Sequence, residues 1–199
     1  MSLTAGVVAV QGDVSEHVAA IERAGSRRGE AVDVLEIRGS GQVPECDVLS
    51  LPGGESTAIS RFVHREGIAP EIVDHVTAGK PLLATCAGLI LAARDARDDR
   101  VETLDLIDVR VNRNAFGRQK DSFETDLRID GLDEPFPAVF IRAPSITDVG
   151  DGVEVLAEHD GRVVAVRDPP VVATAFHPEL TGSSRIHDLA FFESDSLRG

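Results

Sequence analysis

Pro81-Leu82-Leu83-Ala84-Thr85-Cys86-Ala87-Gly88-Leu89-Ile90-Leu91-Ala92-Ala93 reads as strand, tight turn and helix around one cysteine. The apolar run of Pro81–Leu83 is too short for a helix, and the apolar run from Leu89 to Ala93 resumes directly after small residues. Small neighbours suit such an elbow, because its central residue sits at strained backbone angles and a bulky flank blocks an approaching substrate. Cys86 then lies at the start of a helix, where backbone N–H groups and the macrodipole favour the thiolate, the form that attacks carbonyl carbon. A cysteine on an apolar strand is on its own more often core than nucleophile. What changes the reading lies elsewhere in the chain.

A second apolar run, Val171–Phe176, leads into His177-Pro178-Glu179. Proline after His177 disfavours the helical region for that histidine and predicts extended geometry. In an extended chain residues two apart share a face, so His177 and Glu179 project together. Glu179 then holds one imidazole nitrogen while the other faces the thiol, the nucleophile, base and orienter of a triad. A third run, Val48-Leu49-Ser50, opens into Leu51-Pro52-Gly53-Gly54-Glu55-Ser56-Thr57. Pro-Gly-Gly alone is a turn. After a strand, adjacent glycines also let the backbone approach a ligand, and with the Ala87 amide they predict an oxyanion hole at Gly54 and Ala87.

These segments resemble a class I, triad-type glutamine amidotransferase, and within that group the glutaminase subunits of pyridoxal 5'-phosphate synthases. The resemblance spans nearly the whole chain. It is carried by Val10-Gln11-Gly12-Asp13 with Glu16-His17, by the Pro-Gly-Gly-Glu-Ser-Thr loop and by Thr85-Cys86-Ala87-Gly88-Leu89. It continues through Arg113-Asn114 with Phe116-Gly117-Arg118-Gln119, Asp121-Ser122-Phe123-Glu124, Phe140-Ile141-Arg142-Ala143-Pro144 and Phe176–Thr181. The elbow and His-Pro-Glu mark the superfamily; Arg-Asn-x-Phe-Gly-Arg-Gln and Phe-Ile-Arg-Ala-Pro are more specific. Ala84 stands where these proteins usually have glycine, the smallest possible departure.

The resemblance implies a three-layer, flavodoxin-like α/β fold with a mainly parallel central sheet, and residues 1–199 as one glutaminase domain. It implies hydrolysis of L-glutamine to L-glutamate and ammonia by Cys86, His177 and Glu179. It also implies glutamine held by Gly53, Gly54, Glu55, Arg113, Ile141 and Arg142. Free glutamine is a zwitterion, and its carboxylate suits an arginine while its ammonium suits carboxylate or carbonyl oxygens. Gln11, Glu16 and His17 are expected to face a partner, a (β/α)-barrel synthase subunit in a hetero-oligomer that receives the ammonia. Neither cofactor nor metal is expected in this chain, pyridoxal phosphate being the partner's product. His64, His75, His159 and His187 show no ligand spacing and read as structural or surface residues. The alternatives are the glutaminase of histidine biosynthesis, a cysteine peptidase or stress-response hydrolase on the same scaffold, and a regulatory subunit without activity. The Arg-Asn-x-Phe-Gly-Arg-Gln stretch, the glycine loop coupled to His-Pro-Glu, and the intact triad speak against them in turn.

Composition fits that reading. Two cysteines, Cys46 and Cys86, give no disulfide framework, and a cytoplasmic, reducing location suits a free thiol. The first residues show no charged segment followed by a long apolar one, so no signal peptide is expected, and no apolar run is long enough to span a bilayer. A net charge of −14 disfavours nucleic acid and anionic membrane as partners. Lysine occurs only at Lys80 and Lys120 against 34 acidic residues, a balance that suits concentrated salt, where screening removes self-repulsion.

Short apolar runs alternating with amphipathic ones predict an α/β architecture. Strands are expected at Gly6–Val10, Val32–Ile37, Val48–Leu51 and Leu82–Thr85. More are expected at Leu104–Val111, Phe123–Ile129 and Val139–Ile141 in a region inserted after the elbow helix, then at Val153–Glu158, Arg162–Arg167 and Val171–Phe176. Helices are expected at Val14–Ala24, Ser56–Val63, Glu71–Ala78 and Ser184–Phe192, the last capped by Ser184. Asp160-Gly161 predicts a hairpin turn. Gln11, Gly53, Cys86 and His177 each follow a strand and so converge on one rim of the sheet.

Overall fold

The computed structural model describes residues 2–113 and 122–193. Asn114, Phe116–Gln119 and Asp121, on which part of the resemblance rests, lie outside the described residues, as does Lys120.

Five strands form the parallel half of the sheet: β1 (Leu3–Val8), β2 (Val32–Ile37), β3 (Val48–Leu51), β4 (Leu82–Thr85) and, from far downstream, β12 (Val171–Thr174). Their order is β2-β1-β3-β4-β12, the flavodoxin-like order, with every neighbouring pair parallel. β3, β4 and β12 are buried at every residue, as strands covered on both faces must be.

The order also decides where the helices go. The step from β1 to β2 and the step from β3 to β4 run in opposite directions along the sheet, so right-handed crossovers place their helices on opposite faces. α1 (Val14–Arg28) packs against the closing helix α5 (Arg185–Phe191) on one face. α2 (Ser56–Arg65), α3 (Ile68–Thr77) and the elbow helix α4 (Ala87–Ala92) pack together on the other. The result is three layers.

β12 opens the second half, which runs antiparallel through β11 (Arg162–Asp168), β9 (Ser145–Val149) and β6 (Ile107–Asn112) and ends on β5 (Ala93–Asp95), parallel to β6. β10 (Glu154–His159) pairs with β11 through the turn at Asp160-Gly161. β7 (Ser122–Leu127) and β8 (Phe136–Ile141) make a separate two-stranded sheet. Phe123 and Phe140 stack in it at 4.6 Å, and Phe140 leans on Phe176 at the end of β12. This contact docks the small sheet beside the site.

Several boundaries differ from the sequence-based expectation. α1 runs on to Arg28 and stops at Gly29, whose φ of 72° closes the helix with bonds to Gly25 and Ser26 carbonyls. Leu104 and Leu106 are not strand: their N–H groups bond the Leu91 and Ala92 carbonyls at the end of α4. β5 and β9 had no separate signal. Ser184 occupies the N-cap position of α5 without a side-chain cap bond. Among the described residues no helix is long and apolar enough to cross a membrane.

Candidate active site

Cys86 takes φ 50° and ψ −106°, a conformation an L-residue holds only where its surroundings force it. Two constraints force it. Its N–H bonds the Thr174 carbonyl at 2.8 Å, continuing the β4–β12 ladder. The following turn passes so close to β3 that a Cβ on Gly88 would lie 2.0 Å from the Leu51 carbonyl oxygen. Ala84, fully buried and paired with Ala173 and Leu51, sits beneath the turn with the elbow formed.

His177 is anchored through its own N–H to the Val139 carbonyl at 2.8 Å, and so couples the small β7–β8 sheet to the site. Its Nδ1 meets Glu179 Oε1 at 2.7 Å. Extended geometry was expected from His177 to Glu179. Instead Pro178–Leu180 form one turn of 3-10 helix, Pro178 taking its first position with no donor to lose, and only His177 (ψ 89°) stays outside the helical region. The turn, not a strand, brings the two side chains together.

Cys86, His177 and Glu179 are all nearly buried. Burial alone lowers the His177 pKa; hydrogen bonds to Cys86 and Glu179 and their charges outweigh it and push the value up to about 10. Glu179 has the reverse balance: burial raises its pKa, but bonding to His177 and the nearby imidazoles bring it below the usual carboxylate range. Cys46 contrasts with Cys86. It is fully buried, burial pushes its thiol up to about 11, and it leans on the Gln42 carbonyl.

A cavity of about 500 Å³ opens above the thiol, lined by Gly54, Glu55, Cys86, Ala87, Arg113, Ile141, Arg142 and His177 among others. Gly53 lies beneath it: a Cβ there would come 2.8 Å from His177 Cε1 and 3.4 Å from Cys86 Cβ. Gly54, at φ 133°, turns the loop outward into the cavity. Ala87 begins α4, where N–H groups lack intrahelical acceptors. Ile141 carries its carbonyl to 3.9 Å from Cys86 Sγ, and Arg142 follows at φ 44°. Glu55 caps α2 through the Thr57 and Ala58 N–H groups and pairs with Arg113 at 3.2 Å. Arg113 also pairs with Asp98.

The structure adds three residues the sequence reading passed over. Ser56 is buried on the cavity wall with its hydroxyl unpartnered. Asp13 lies 3.7 Å from His177 Nδ1, its pKa raised first by burial and then by Glu179. Asp98 fixes Arg113. The first two sit inside quoted motifs; Asp98 had no local signal. Asp13, His177 and Glu179 bring one possible ligand atom each within 4.8 Å of one another, but His177 Nδ1 is already engaged by Glu179.

Of the residues expected at a partner surface, Gln11 is exposed and Glu16 half-buried. Gln11 Oε1 accepts the Glu55 N–H at 3.3 Å, tying this segment to the glycine loop. His17 corrects the expectation. It is 0% exposed, because its position in α1 falls on the stripe with Ala20, Ile21 and Ala24 that faces the sheet. It touches Glu179, not solvent. His75 and His187 are also buried, His75 bonding the Pro81 carbonyl, while His159 stacks on Phe123 and Phe140.

This geometry coincides with a family match over almost the whole chain: the SNO glutamine amidotransferase family aligns with residues 7–195. The chain belongs to that family. A pyridoxal 5'-phosphate synthase subunit PdxT from Halobacterium salinarum is 70% identical over 193 residues, 97% of this chain and 95% of the relative. The protein of the same name from Methanococcoides burtonii is 54% identical, over 92% and 94%. A crystal structure of a glutamine amidotransferase superposes on this amidotransferase with TM-score 0.81 at 40% identity, covering 92% of this chain and 94% of that one. A chain of PurLQS from Thermotoga maritima gives TM-score 0.66 at 18% identity over 92% and 93%, a likeness of fold.

Proposed function

We propose that this chain is the glutaminase subunit of a pyridoxal 5'-phosphate synthase. It hydrolyses L-glutamine and passes the ammonia to a barrel-shaped synthase subunit in a hetero-oligomer. The observation that carries the catalytic part is His177, held by Glu179 at 2.7 Å and beside Cys86 on the floor of a cavity whose wall carries Glu55, Arg113 and Arg142. The family match and the 66–70% identity to subunits from halophilic archaea support the pathway.

Cys86 gives its thiol proton to His177 and attacks the side-chain carboxamide carbon, and the amide oxygen gathers charge between the Gly54 and Ala87 N–H groups. Each such donor is typically worth about 10²–10³ in rate. His177 gives its proton to the departing nitrogen, ammonia leaves, and a γ-glutamyl thioester remains. Water then loses a proton to His177 and attacks the thioester, glutamate leaves, and His177 returns the proton to Cys86. Glu179 keeps the imidazolium oriented and stabilised. Arg113 and Arg142 serve the substrate carboxylate, Glu55 and the Ile141 carbonyl its ammonium, and the buried Ser56 hydroxyl is a further free donor. The chemistry requires no metal or cofactor, since a thiolate is nucleophile enough.

Residues 1–199 act as one glutaminase domain in a reducing cytoplasm. Ammonia released into water would be protonated and lost, so hydrolysis is best gated by the synthase. Gln11 holds the Gly53-Gly54-Glu55 loop from a segment that also offers Glu16 at the surface. Docking there selects the loop orientation in which the Gly54 N–H faces the oxyanion. Glutamate release by the purified subunit should rise at least tenfold on adding the synthase in molar salt. A lone subunit already at full rate, with a synthase that demonstrably binds, would remove the gate and leave the triad standing. No glutamate in either state would remove the glutaminase assignment.

A further inference from the structure

Behind the line from Cys86 to Glu179 lies a second row of polar side chains, closed off from water. His17 of α1 is its centre. Nε2 lies 3.4 Å from Glu179 Oε2 and 3.3 Å from Thr85 Oγ1; Nδ1 lies 3.1 Å from His187 Nε2 and 3.2 Å from Ser50 Oγ. His17, His187, Ser50 and Thr85 are each 0% exposed, and they come from α1, α5, β3 and β4. Four separate elements have been brought to one point behind the orienting carboxylate.

The protons in this row can be placed. Glu179 Oε2 is buried and makes no hydrogen bond of full geometry, so the His17 contact is a long, oblique one. A carboxylate only accepts, which puts a proton on His17 Nε2. A second proton on His17 would bury a cation beside two other imidazoles, and burial pulls both His17 and His187 down to about 3. His17 is therefore neutral, and its Nδ1 is an acceptor. His187 Nδ1 is buried without a partner. An orphaned lone pair is tolerated better than an orphaned N–H, so the His187 proton belongs on Nε2, aimed at His17. Every proton in the row then points the same way, from His187 through His17 to the side where Thr85 Oγ1 and Glu179 Oε2 both lie.

We propose that His17 is a positioning residue of the glutaminase reaction: a neutral imidazole, locked in its Nε2–H form by His187 and Ser50, that secures the free oxygen of Glu179. The proposal rests on Cys86 and His177 acting as described above. With Oε2 held, Oε1 stays on His177 Nδ1, and the thiolate–imidazolium pair keeps its support. Without His17, Glu179 would keep a bare oxygen in a dry pocket, and the carboxylate would rotate or take up a proton. The other ionisable groups around this centre are His177 and Asp13 on the cavity side, Glu16 beside Asp13, and Arg23, whose charge acts on His187.

The test compares wild type, His17→Gln and His17→Leu in complex with the synthase across pH 5–10. Glutamine amide nitrogen reaches the place of Nε2; leucine fills the space without a donor. His17 does not line the cavity, so KM should stay within about twofold in both. His17→Leu should lose about 10–100-fold in kcat, the usual cost of removing an outer partner of a working imidazole. The acid limb of kcat/KM should move up by about one unit, because a less stabilised carboxylate and imidazolium leave the thiolate harder to form. His17→Gln should recover about tenfold and return the limb. The same shift should appear, without glutamine, in the pH dependence of Cys86 alkylation by iodoacetamide in a Cys46→Ala background. A merely structural role would lower Tm and leave the limb in place.

An unmoved acid limb in folded His17→Leu, or His17→Gln no better than His17→Leu, overturns the proposal. If His17→Leu does not fold, His187→Leu decides. It frees the His17 tautomer and should shift the alkylation limb the same way; an unmoved limb there overturns the proposal as well. Failure of wild type to release glutamate would instead overturn the glutaminase reading, and the alkylation profile would still decide the role of His17.

Discussion

Glu179 Oε1 meets His177 Nδ1 at 2.7 Å across a single turn of 3-10 helix, two residues along the chain. Base and orienter are thus a local unit, set by Pro178, while the nucleophile arrives from a neighbouring strand. Replacing Glu179 with Gln should keep the contact but remove the charge that supports the imidazolium. Turnover should fall roughly 10²-fold or more with KM nearly unchanged, as for interactions made chiefly as charge develops. Steady-state kinetics of the complex measure this; a loss confined to KM would make Glu179 a substrate contact.

The two cysteines should separate cleanly. Cys86→Ala should abolish glutamate release and keep glutamine affinity, read by calorimetry, since the thiol serves chemistry. Cys46→Ala should keep activity and lose about 1 kcal/mol of stability, the cost of a small buried cavity. Residual turnover in Cys86→Ala would mean another nucleophile.

Gly53→Ala tests the packing beneath the cavity. The added methyl would lie 2.8 Å from His177 Cε1, so the imidazole must shift. Activity should fall at least tenfold, since about 1 Å of misplacement can cost 10²-fold. Tm should drop by only a few degrees. Wild-type activity in this variant would mean that His177 has room the structure denies it.

Acid sensitivity follows from the buried histidines. His17 and His187 have folded-state pKa values lowered to about 3 from 6.5. Between those values the unfolded chain binds more protons, so stability rises with pH across that window and falls as pH drops from 6.5 toward 3. Glu179, also lowered, adds to the loss at the acid end. Urea unfolding at fixed molar salt from pH 4 to 7 should show this slope, and His187→Leu should flatten it.

Salt should matter through net charge. At −14 the folded chain repels itself, and screening at about 1 M shortens the Debye length to roughly 3 Å. Tm should fall steadily as potassium chloride is reduced from molar to millimolar. A flat profile would make the acidic, lysine-poor composition incidental.

The sequence by itself determined the elements that bear chemistry. Strand ends at Leu51 and Thr85, the glycine loop after β3 and the elbow were all legible. Each is a local matter of short apolar runs, small residues and proline, and parallel sheets put strand ends on one rim. Tertiary structure decided what depends on distant partners. β5 and β9 exist because neighbours pair with them; Leu104–Leu106 leave strand geometry because α4 offers carbonyls. Arg113 is held by Asp98, and Phe140 reaches Phe176, through contacts that no local pattern encodes. His17 shows the difference most directly. Its neighbours in sequence suggested a surface, but the angular position in α1 turned it inward, and only the folded chain reveals Glu179, His187, Ser50 and Thr85 around it. Local sequence fixes which side chains are present and how each turn is made; which buried polar groups meet is set by the packing of layers.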